Sequence, residues 1–230
     1  MDTLVTFLIS FVIVFFHILD EKLSEHIERF HLNFLSLAAG LMVGTLFLEL
    51  LPRISVGETY LGMFIYVVFL AGFVAVHILE KVLYQHKSID SEFVSLRRQF
   101  EFWGFLAYQL LVGIMNVVFF ETYGNLAVFV LIPFFVRAFA LSVSSKHIIE
   151  KVAGKQNHLL IPFGPVIGTL IGLLFIQNNL QVFFILAITT GIIFYITVRD
   201  VIPMGREGKP LYFLTGTLIA VTTFLIIGSG

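Results

Sequence analysis

The sequence predicts an all-α, polytopic membrane protein, an eight-transmembrane-helix bundle, and three observations predict it. Hydrophobic residues make up 58% of the 230 and charged residues only 13%, with a mean hydropathy of +0.99; a soluble domain carries about 25% charge. Eight stretches reach or approach the roughly 20 apolar residues needed to cross a bilayer. Lysine and arginine fall on one set of alternating loops.

The segments follow in order. The first, roughly 3–19, opens on Met1-Asp2-Thr3 with no positive n-region and no A-x-A-like cleavage site, so it reads as a retained span and not a signal peptide. The second, 33–51, is expected to stop at Pro52, and the third, 60–83, ends in His77, Glu80, Lys81 and Tyr84, spaced to share one helical face. A mixed-charge stretch, 85–100, reads as a solvated linker. The fourth and fifth segments, 101–120 and 125–145, are split tightly at Glu121–Gly124. The sixth (159–177), seventh (181–201, after Asn178-Asn179) and eighth (210–228) complete a single transmembrane domain over 1–230.

Orientation follows from basic residues, which favour cytoplasmic loops. Lys22, Arg29, Lys81, Lys87, Arg97, Arg98, Lys146, Lys151, Lys155, Arg199, Arg206 and Lys209 all fall in or beside the loops after segments one, three, five and seven; the opposite loops hold only Arg53. Both termini are therefore expected outside, in a plasma (cytoplasmic) membrane. The expected surroundings are the lipid bilayer, with a homodimer left open and no nucleic acid. Without cysteine there are no disulfides and no thiolate metal sites.

Four blocks together resemble the ZIP (Zrt/Irt-like) family of divalent-metal transporters. Leu37-Ala38-Ala39-Gly40-Leu41-Met42-Val43-Gly44 running to Glu49-Leu50-Leu51-Pro52 is similar to that family's second helix. Ala71-Gly72-Phe73 with Ile78-Leu79-Glu80-Lys81 is similar to the end of its third. Pro162-Phe163-Gly164-Pro165-Val166-Ile167-Gly168 resembles the start of its sixth, and Phe194-Tyr195-Ile196 with Asp200-Val201-Ile202-Pro203 the end of its seventh. The resemblance implies eight helices, both termini outside, and a metal-ion transport function.

It also implies where the metal site should stand, and there the chain departs. The family's ligands lie in H-N-x-x-D/E-G and H-E-x-P-E-G motifs on helices four and five. The matching strings are Tyr108-Gln109-Leu110-Leu111-Val112-Gly113 and Pro133-Phe134-Phe135-Val136-Arg137-Ala138. The histidines become Tyr108 and Pro133, the acids Val112, Phe134 and Arg137, and only Gln109 keeps an oxygen ligand. Such a degenerate metal site, with a fixed positive charge, is not expected to hold a divalent metal, and no cofactor is expected. Arg137 itself sits in an apolar run, where a charge costs about 2.5–3.5 kcal/mol on insertion scales. It is expected to face inward, with Glu49 or Glu121 as carboxylate partner and Tyr108, Gln109 or Asn116 as hydrogen-bond partners.

Other polar residues carry weaker expectations. His17, Asp20, Glu21, Glu25, His26, Glu28 and His31 form a His-bearing acidic patch that reads either as a metal-handling loop or as a solvated one. His77 with Glu80, and His147 with Glu150, have metal-pair spacing but equally that of a salt-bridge face. No H-E-x-x-H, G-x-S-x-G or Walker-type string is present, so an enzyme is not expected. The main readings are a ZIP-like transporter that moves another solute, or metal by a displaced site, and a non-transporting relative that binds a partner or regulates in the membrane; the fixed positive charge leaves an anionic solute as a lesser third.

Overall fold

The computed structural model describes residues 3–27, 30–85, 91–137, 160–201 and 208–228. All the described elements are helical, with no strand among them. Four helical stretches, Leu32–Leu61, Phe64–Val82, Phe102–Arg137 and Asn179–Arg199, are long and apolar enough to cross a membrane. Thr3–Phe15, Ile161–Phe175 and Pro210–Ile226 are shorter apolar helices. This architecture is compatible with an integral membrane protein.

Eight separate helices are expected from the sequence; the described residues form seven uninterrupted helical runs. α1 is Thr3–Ile27, eight residues longer than expected. α2 joins His31–Thr45, a π turn at Leu46–Leu50 and Leu51–Leu61 into one rod. α3 is Phe64–Gln85. α4 has a long arm, Ser91–Tyr123, then a 3-10 turn at Gly124–Leu126 and a return arm over 127–137. α5 is Leu160–Phe175, α6 is Asn179–Ile196 with a π turn at Thr197–Val201, and α7 is Pro210–Gly228.

The fourth and fifth expected segments are thus one run, but not one straight rod. The ring centroids of Phe119 and Phe134 are 5.5 Å apart; fifteen residues of straight helix would separate them by about 22 Å. The reversal falls at Gly124, whose φ of +56° is open to glycine at little cost. Gly62, with the same φ, turns α2 into α3.

Two expected boundaries are wrong for physical reasons. Pro52 does not end α2. Proline removes an N–H and clashes with the carbonyl four residues back, but the π turn has already widened the helix there, with the Leu51 N–H reaching Leu46 O. Residues 91–100 of the expected linker are helical and begin α4. Asn178, by contrast, caps α6 as its side-chain oxygen accepts from the Gln181 N–H at 3.0 Å.

Glycines set how the rods couple. A Cβ on Gly40 would collide with the Phe213 carbonyl, and one on Gly216 with that of Leu37, so α2 and α7 touch backbone to backbone. Gly72 meets Ile188, and Gly191 meets Phe69, between α3 and α6. Gly164, Gly168 and Gly172 descend past Gln109, Leu110 and Val117, so α5 runs parallel to the long arm of α4. Small residues of this kind let membrane helices approach closely, where dispersion takes the place of hydrophobic drive. The couples assemble into two groups, α2 with α3, α6 and α7, and α1 with α4 and α5.

Candidate functional site

The two strings expected to replace a metal centre do face inward. Tyr108, Gln109 and Val112 on the long arm, and Pro133, Phe134 and Arg137 on the return arm, are all buried. Arg137 is 2% exposed, and its guanidinium carbon lies 5.9 Å from the centroid of the Tyr108 ring, at the outer limit of cation–π range. Phe134 packs on Phe119, and Gly164 of α5 presses on the Gln109 side chain. Among the described residues no group of three or more His, Cys, Asp or Glu converges to hold a metal ion.

The carboxylates expected beside Arg137 are elsewhere. Glu49 is buried but accepts a hydrogen bond from the Tyr123 hydroxyl, and Arg53 approaches it at 3.6 Å. Arg53 also donates to the Tyr123 hydroxyl at 2.8 Å and lies 4.3 Å from the centre of that ring. Tyr123 is separated from Tyr108 by about 22 Å of helix axis, so Glu49 serves the far end of α4 and not Arg137. Glu121 lies beside Tyr123 at the same end and is exposed.

Asn116 has a different task from the one expected. Its amide donates to the Thr6 carbonyl at 2.8 Å and to Ser10 Oγ at 3.0 Å. Ser10 and Thr169 hydroxyls are 2.6 Å apart, and Thr169 donates to the Gly113 carbonyl at 3.1 Å. This wholly buried network ties α1, α4 and α5 together. Asn116 Oδ1 and the Tyr108 hydroxyl are among the buried polar atoms without a hydrogen bond.

Where the ends of α3 and α6 meet, Glu80 pairs with Arg199 and accepts from the Tyr195 hydroxyl at 2.6 Å, while His77 Nδ1 is 3.3 Å from the same hydroxyl. Glu80 is therefore engaged in a salt bridge. Nothing in the sequence assigned these contacts to Arg53, Tyr123, Tyr195, Thr6, Ser10 or Thr169. The side chains of His17, Asp20, Glu21, Glu25, His26, Glu28 and His31, and residues 138–159 with His147 and Glu150, lie outside the described residues.

Comparisons with family models, with curated proteins and with solved structures return no match.

Proposed function

We propose that this chain is a ZIP-like integral membrane transporter, an eight-span bundle with both termini outside, whose divalent-cation centre has been exchanged for packed side chains. The class rests on the four sequence blocks. The eight passes are supported by the reversal at Gly124 and by the parallel packing of α5 on the long arm, which requires the chain to cross back between them. The orientation rests on the one-sided basic loops.

The observation that carries the altered centre is the burial of Arg137, 5.9 Å from the Tyr108 ring centre, on arms whose Val112, Pro133 and Phe134 are buried as well. A guanidinium keeps its charge at any accessible pH. Beside it, a lone amide oxygen from Gln109 is a weak ligand for zinc or iron. Equilibrium dialysis of the purified protein against zinc tests this. No saturable binding that depends on Gln109 is expected; saturable binding lost in Gln109→Ala overturns it.

The same packing favours a second reading, a non-transporting bundle that binds a membrane partner or regulates one. Phe119 meets Phe134 between the arms, and Gly164 of α5 meets Gln109 on the outer side of the long arm, so the polar positions are flanked by close packing.

A further inference from the structure

A hydroxyl inside a membrane helix has a ready partner, the carbonyl one turn back. Thr122, Thr190, Thr215 and Thr222 all take it, at 2.6–2.8 Å. Thr45 and Thr223 do not: neither hydroxyl makes a hydrogen bond among the described residues. Both instead line one small, partly open cavity with Glu49, alongside Leu48, Val130, Ala220 and Phe224, where α2, α7 and the return arm of α4 meet. Thr45 and Glu49 are each 7% exposed. Only Oε1 of Glu49 is engaged by Tyr123 and Arg53, so its second oxygen is the nearer to an unused ligand.

The cavity is about 10 Å³, close to the least volume that holds one water-sized body. Its polar lining is one carboxylate and two hydroxyls, all hard oxygen. A divalent ion asks for more ligands and more negative charge than one carboxylate already facing Arg53 supplies. A single small monovalent ion fits both the size and the charge. We propose that Thr45, Glu49 and Thr223 form a binding site for a sodium-sized monovalent cation, with Arg53 as a tethered competitor for the same carboxylate. The site stands apart from the altered centre between the arms and does not depend on what that centre carries.

The test is thermal unfolding of the full chain in lipid nanodiscs, with sodium exchanged for choline at constant ionic strength. Sodium should raise the Tm over choline with a saturating dose dependence. Thr45→Val with Thr223→Val should abolish that rise while keeping the Tm in choline near the parent's. Arg53→Gln should bring half-saturation to a roughly tenfold lower sodium concentration, because a unit charge a few ångströms from the ion is removed. Equal Tm in sodium and choline for both the parent and Arg53→Gln overturns the site. So does a sodium response that survives the double valine change. If the double variant does not fold, the Arg53→Gln dose curve decides alone: a half-saturation unchanged from the parent overturns the proposal.

Discussion

Arg137 shows how much one residue can announce. A charge in an apolar run has to face inward, and it does, at 2% exposure. Its partner was not legible, because a charge states a need and not the distance to whatever meets it. Glu49, the expected partner, is held by Tyr123, seventy-four residues away in sequence. Nothing in a tyrosine at the end of an apolar segment distinguishes it from an interfacial anchor. The Thr6–Ser10–Asn116–Thr169 network was hidden for a similar reason, since hydroxyls in membrane helices mostly bond their own backbone. At Arg137 itself, replacement by glutamate puts a carboxylate where a buried cation sits over Tyr108. In metal-free buffer, unfolding of Arg137→Glu should show a loss of about 3–5 kcal/mol, the usual cost of a buried charge left uncompensated. Zinc should return part of it. A variant as stable as the parent without metal would show that the guanidinium has no structural role.

The elements were legible where a local device ends them and illegible where the device is unusual. Gly124 and Asn178 mark a real reversal and a real cap. Pro52 marks neither, because a π turn absorbs it. A second one, Thr197–Val201, leads into Asp200-Val201-Ile202-Pro203, so both π turns run into an acid, two aliphatics and a proline. The glycine couples make the sharpest element-scale prediction. Gly168→Leu would drive a side chain into the Leu110 carbonyl and force α5 off the long arm. Overpacking of this kind costs about 1–3 kcal/mol or more, to be read as a lower detergent-unfolding midpoint. Gly104→Leu, on an exposed face of the same long arm, meets no neighbour and has no positive φ to strain, so it should cost nothing. Equal losses for the two variants would mean that the close approach between α4 and α5 does not hold in the membrane.

For the whole molecule, composition alone gave the helical class, and the charge split gave an orientation that packing cannot supply. The pairing of the helices was not legible, since the apolar segments look alike from outside and only the glycine contacts say which rod meets which. The chain contains no cysteine, so single introduced cysteines report topology directly. Positions 86–90 should label only from the inside, and Gly62 and Gly124 only from the outside, of intact cells. Labelling of 86–90 from outside would invert the orientation, and labelling of Gly62 and Gly124 from opposite sides would break the eight-pass reading.

On the proposed function, Tyr108, Val112, Pro133, Phe134 and Arg137 stand where metal ligands would and close this bundle to divalent metals. The most direct measurement is uptake into proteoliposomes loaded with a metal-sensing dye. Zinc and iron(II) should enter no faster than into protein-free liposomes. Saturable uptake that Gln109→Ala abolishes would contradict the claim.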